Sequence, residues 1–201
     1  KGDVIGNVVN DIGPADCTYV QGIYHSTSGT IKNNVVYPVG SAAIHLWHAA
    51  TDSTIANNTV FANGSSGMGG GIVTGVGDKP GNIQLKNTMV VNNIVYKNPR
   101  QGISQYCYSG QSCIGSGNVT ANNLVYGNGS AISLRVGSAT GTVNADPKFV
   151  SYNPTGSGDY RLQSSSPAVN KGTKNYAPTV DIVNAQRPKG GAWDIGAYES
   201  Y

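Results

Sequence analysis

Charge is scarce in this 201-residue sequence: Asp, Glu, Lys and Arg together make up 11% of it, against roughly 25% in an ordinary soluble domain. Disordered chains are usually rich in charge, so low charge with 38% hydrophobic residues points to a packed core. Glutamate occurs once, as Glu199. A hydrolase that needs two carboxylates flanking one glycosidic bond is disfavoured by that scarcity. No run of 18 apolar residues exists, so the sequence offers no membrane-spanning helix. The 13 Lys and Arg residues form no dense tract, and nucleic acid is not an expected partner. A Gly-x-Ser-x-Gly elbow for a serine nucleophile is missing too.

Cysteine is also sparse. Cys107 and Cys113 bracket a short loop that can close as a disulfide, which suits a secreted or cell-surface protein. Cys17 is then left over, and the three fit no zinc spacing. No cofactor is implied. Asp11, Asp16 and Asp52 in turns are weak calcium candidates, and His25, His45 and His48 match no common metal motif. The chain enters a strand-like segment at residues 4–9 without any capping stretch. That leads us to expect a further N-terminal segment of the same parent protein.

Glycine, at 28 residues, and asparagine are abundant, and short aliphatic runs alternate with them. This is the composition of many short strands joined by turns. A repeat organises it. Asn33-Asn34-Val35-Val36-Tyr37 recurs at Asn57-Asn58-Thr59-Val60-Phe61, Asn92-Asn93-Ile94-Val95-Tyr96 and Asn122-Asn123-Leu124-Val125-Tyr126, with a degraded copy at Gly6-Asn7-Val8-Val9. Between these copies come Gly22-Ile23, Ala43-Ile44, Gly71-Ile72, Gly102-Ile103 and Ala131-Ile132. Two strand motifs alternating every two to three dozen residues describe coils of a solenoid, each needing its neighbours to bury an apolar side. The sequence therefore predicts an all-β fold: a right-handed parallel β-helix of about five coils over residues 1–143. The isoleucines should stack inward, and the second asparagines should form a ladder at one corner.

These stacked motifs resemble the parallel β-helix repeats of secreted carbohydrate-active proteins, polysaccharide lyases and epimerases among them. From residue 144 the pattern changes to Asn144-Ala145-Asp146-Pro147, Gly158-Asp159-Tyr160-Arg161-Leu162, Ser166-Pro167-Ala168, Gln186-Arg187-Pro188 and Asp194-Ile195-Gly196-Ala197-Tyr198-Glu199. That series resembles the C-terminal segment of bacterial β-helix proteins of the choice-of-anchor Q type. The resemblance implies that residues 144–201 cap the stack, and the open end is the place expected for them. The Asp and Arg residues of this segment would then hold the cap together.

Strand alternation nominates a functional face. With the isoleucines inward, Tyr24, His45, Trp47, Ser104, Tyr106 and Arg135 point outward, and Arg100 lies nearby. The long connections at 76–89, which contains Lys79, and 107–119 would rise beside this face as walls of a groove. Tyr24 and His45, about 5 Å apart on adjacent coils, are candidates for acid and base. Arg100 and Arg135 would neutralise a carboxylate. Trp47 and Tyr106 would stack on sugars, with Ser104 and Lys79 also binding substrate. His25 reads as a core or turn residue. The expected partner is a polysaccharide, preferably acidic, and the expected chemistry is elimination or epimerisation at a uronic acid, which needs a base, an acid and a carboxylate neutraliser. The alternative is a non-catalytic glycan-binding or structural module of the cell surface.

Overall fold

A computed structural model describes residues 1–14, 17–65, 69–78, 83–108 and 112–200. The chain forms a parallel β-helix, each coil contributing one short strand to each of three parallel sheets. The first coil holds β1 (Gly2–Ile5), β2 (Val8–Val9) and β3 (Ile23–His25). The second holds β4 (Gly29–Lys32), β5 (Val35–Val36) and β6 (Ala42–Leu46), and the third β7 (Ser53–Ala56), β8 (Thr59–Phe61) and β9 (Gly70–Val76). The fourth holds β10 (Met89–Val91), β11 (Ile94–Tyr96) and β12 (Gln101–Cys107), and the fifth β13 (Val119–Ala121), β14 (Leu124–Tyr126) and β15 (Ser130–Ser133). The antiparallel pair β16 (Phe149–Ser151) and β17 (Asp159–Leu162) follows.

Register turns the sequence repeat into columns. On the third sheet Ile23, Ile44, Ile72, Ile103 and Ile132 pair directly, coil by coil, as predicted. On the first sheet Val4, Ile31, Ile55 and Val90 do the same, and on the second Val9, Val36, Val60, Val95 and Val125. These three columns meet inside the stack as one apolar core. The third sheet carries the longest strands, so it presents the broadest outer surface.

The paired asparagines divide their work. The first of each pair, Asn33, Asn57, Asn92 and Asn122, takes φ of 52–56°, a left-handed corner, and Gly6 (φ 72°) fills that place in the first coil. The second of each pair builds the ladder. Asn34 Oδ1 accepts from Asn7, Asn58 Oδ1 from Asn34, Asn93 Oδ1 from Asn58 and Asn123 Oδ1 from Asn93, each time from both backbone N–H and side-chain Nδ2 at 2.9–3.0 Å. A second ladder, Asn63–Asn98–Asn128, runs along the next corner. Its signal in the sequence is an Asn five residues after the second Asn of the pair.

The C-terminal segment lies elsewhere than the sequence suggested. Its contacts run along the flank of the stack. The outer face of the second sheet, with Val35, Tyr37, Phe61, Ile94, Tyr96 and Leu124, is covered by Phe149, Tyr160, Leu162, Ala168, Ile195 and Ala197. The outward amides of the first asparagines bind the segment's backbone: Asn33 to Val180 O, Asn57 to Asp194 O, Asn92 to Thr173 O and Asn122 to Lys171 O. Within the segment, Arg187 and Glu199 form a fully buried ion pair at 2.7 Å, and Asp181 accepts the backbone N–H groups of Val183, Ala185 and Glu199. Its charged residues thus hold its own chain together. In the first coil Ile5 and Val8 stay exposed.

Candidate functional site

The outer surface of the third sheet holds a cavity of about 730 Å³ lined by aromatic and imidazole side chains. Four nominated residues line it: Tyr24, His45, Trp47 and Tyr106. Tyr24 and His45 are direct partners on β3 and β6, with ring centroids 5.4 Å apart in an edge-to-face arrangement. Trp47 follows β6 and lies across the next coil. Its ring meets Tyr106 at 5.3 Å and Tyr108 at 6.2 Å. Gly75 makes this possible, because a Cβ there would stand 3.1 Å from the Trp47 ring and 2.4 Å from Tyr106 O.

Outward from the solenoid core does not mean exposed. Trp47 is only 8% exposed and His45 only 4%. Trp47 therefore forms the floor of the cavity, and the accessible aromatic surface belongs to Tyr19, Tyr24 and Tyr108. His45 sits beneath Tyr24 and beside Trp47, with its Nε2 buried and without a hydrogen-bond partner. Burial, with a smaller contribution from His48, pushes its pKa down to about 4, so the ring is neutral at pH 7.

The polar connection runs instead from Tyr24 to His48. Tyr24 Oη lies 2.9 Å from His48 Nε2, and His48 Nδ1 lies 4.0 Å from Asp78 Oδ2. The three come from successive coils: Tyr24 on β3, His48 after β6, Asp78 just past β9. His48 adopts φ 55°, a left-handed turn unusual for a histidine, which ends the strand and turns the ring toward Tyr24. Burial, and after it the Asp78 charge, hold the Tyr24 phenol above its ordinary pKa. Tyr24 is therefore protonated at neutral pH, and it donates to Nε2 in the tautomer that carries the imidazole proton on Nδ1. The 4.0 Å gap is too long for a hydrogen bond.

The other nominated residues lie apart. Ser104 is buried on β12, aligned with Val73, and does not line the cavity. Arg135 and Arg100 are exposed but absent from the lining, and the Arg135 backbone N–H donates to Gln105 Oε1. Lys79 and Asp16 fall outside the described residues. His25 is buried and hydrogen-bonds Gly2 O at 3.0 Å. Thr18, Tyr19, Gln21, His48, Asp78 and Tyr108 complete the lining and were not nominated for this face from the sequence, His48 having been weighed only for a metal. Most stand in connections, where strand alternation assigns no direction. The signal for Tyr108 was its place two residues after Tyr106.

The disulfide Cys107–Cys113 is present, as predicted, and Cys107 sits between the two wall residues Tyr106 and Tyr108. Cys17 is free. Among the described residues no group of three or more His, Cys, Asp or Glu is placed to hold a metal ion.

Fold and cavity together define a parallel β-solenoid with an aromatic pocket on its broadest face and a Tyr–His–Asp series at one side of it. No family model, curated protein or solved structure matches the sequence.

Proposed function

We propose that the chain is a secreted or cell-surface carbohydrate-active protein, a lyase acting on a polysaccharide that contains uronic acid. The Tyr24–His48 hydrogen bond within an aromatic-walled cavity carries this reading. Tyrosine and tryptophan faces suit the apolar faces of sugar rings. Elimination begins with removal of the proton next to the carboxyl group. A phenol that donates its hydrogen bond to an imidazole nitrogen can do this, because its own proton passes to the ring as the new one arrives. Asp78 then faces the imidazolium. The same phenol can return a proton to the leaving oxygen on that side of the sugar. Epimerisation needs a donor on the opposite side as well, so the one-sided arrangement favours elimination. The Cys107–Cys113 bridge supports an oxidising compartment.

The test is incubation with a panel of uronic-acid polysaccharides, following ultraviolet absorbance of unsaturated ends, with binding measured by calorimetry in parallel. Absorbance growth on one polymer is the expected result. Binding without turnover would favour a glycan-binding module, and neither binding nor turnover across the panel would remove the carbohydrate reading.

A further inference from the structure

We propose that the face of the solenoid at its first coil is a docking surface for one further coil, an extended polypeptide segment from outside residues 1–201 that brings an asparagine to the ladder. β1, β2 and β3 are each the terminal strand of their sheet, so three parallel edges lie together at this end. An uncovered strand edge is a template for pairing with another segment. The core is unfinished there as well. Val4 and Val9 are only half-buried, whereas Ile31 and Val36, their partners one coil deeper, are 1% and 0% exposed. On the rim, Ile5 and Val8 are more than half exposed.

The asparagine ladder has a direction, and that direction defines the occupant. At each step the asparagine of one coil donates its backbone N–H and its Nδ2–H to the Oδ1 of the next. Asn7 stands first in the series. Its backbone N–H goes to Asn34 Oδ1, and its Nδ2 serves Asn34 Oδ1 and Ile5 O, so every donor it has is engaged. Its Oδ1 accepts from no protein group among the described residues. This end therefore offers an acceptor with room for two N–H groups, and the matching partner supplies both from one asparagine.

That polarity argues against a second copy of this chain. Two first coils set end to end would bring acceptor against acceptor at Asn7. The fifth coil cannot supply the donors, because Asn123 is fully buried where Thr140 bridges to Ala121 and Val143 to Leu124. A segment of the same repeat type meets each requirement. It lays apolar residues over Val4 and Val9, backbone along three edges, and an asparagine over Asn7.

The probe is a synthetic peptide copying residues 29–46, which spans one strand of each sheet and carries Asn34. Amide hydrogen exchange of the 201-residue protein is recorded across a titration with it. The peptide should slow exchange in residues 2–9. Its Asn34→Asp form lacks the Nδ2–H donors and sets a carboxylate against Asn7 Oδ1, so it should bind about tenfold more weakly. On protein carrying Asn7→Ala, a substitution at an exposed side chain, the two peptides should bind alike. Unchanged exchange in residues 2–9 overturns the inference. Equal binding of the two peptides to the wild type does so too, as does a tenfold difference that persists on Asn7→Ala. Sedimentation that shows a dimer without peptide, protected at residues 2–9, would make the occupant a second copy and overturn it as well.

Discussion

Tyr24 and His48, 24 residues apart in sequence, meet through a single 2.9 Å hydrogen bond that joins the first coil to the second. The bond uses the polar tip of a half-exposed ring and the outer nitrogen of a histidine just past its strand. Neither group is needed to fill the core, so chemistry and stability separate here. Tyr24→Phe, which removes only the hydroxyl, should lower turnover about 10²- to 10⁴-fold. His48→Gln should do the same. Both should melt within a few degrees of the wild type, as substitutions outside the core usually do. Full turnover by Tyr24→Phe would end the proton-transfer assignment.

His45 behaves differently because it is buried. His45→Ala should destabilise the fold by about 2–4 kcal/mol through the space left between Tyr24 and Trp47. Its loss of activity would then follow from a collapsed floor. A His45→Ala protein with unchanged unfolding midpoint and no turnover would instead make His45 the acid or base.

The same burial makes part of the stability depend on pH. With the folded pKa near 4 and the unfolded value near 6.5, the unfolded chain binds the extra proton first as pH falls. The contribution of neutral His45 is therefore complete above about pH 6.5, declines between 6.5 and 4, and is gone below. Its upper bound is about 3 kcal/mol. His45→Gln should lack this component. The urea midpoints of wild type and variant should converge as the buffer moves from pH 7 to 4.5, and parallel curves would contradict the assignment.

Asn93 sits in the middle of the longer ladder with every polar atom engaged. Its Nδ2 donates to Ile55 O, Val91 O and Asn123 Oδ1, while its Oδ1 accepts from Asn58. Asn93→Ala should cost about 3–5 kcal/mol, since it strands buried donors on Asn58 as well as removing bonds. Chemical denaturation measures this directly. A loss under about 1 kcal/mol would mean that water replaces the ladder.

The disulfide closes a short loop, so its removal by Cys107→Ala with Cys113→Ala should cost about 2 kcal/mol. The larger effect should be on ligand, because Tyr106 and Tyr108 flank Cys107. Titration of the double variant with a bound polysaccharide should show weaker affinity at temperatures where it is still folded. Unchanged affinity would show that the wall holds without the bridge.

What was legible in the sequence is what repeats. Ile44 and Ile72 could be paired on paper because each follows a small residue at the same point of its coil, and Asn58 and Asn93 because each closes an Asn pair. The Cys107–Cys113 loop was readable because it is local. Tyr24 and His45 were placed on the right face by alternation, yet nothing in a period of two shows that Trp47 folds across Gly75 and shuts His45 away. His48 and Asp78 escaped for a related reason. They stand after the strands end, one behind a left-handed turn, where the period no longer assigns direction. The C-terminal segment carries no repeat at all, and its asparagine partners lie 49–147 residues away, so its path along the flank left no periodic trace.

That path has a consequence for how the protein is made. Tyr37 and Phe61 belong to coils that can wind as soon as they leave the ribosome, but the strip they present waits for Tyr160 and Ile195. The contact from Asn33 to Val180 closes only after 147 further residues have been joined, about 7–30 seconds of synthesis. For that interval a ribbon of aromatic rings faces the surroundings on the coils already made. The final stretch of chain is thus a zip fastened last. A nascent chain interrupted before residue 160 would carry an open adhesive seam into the cell.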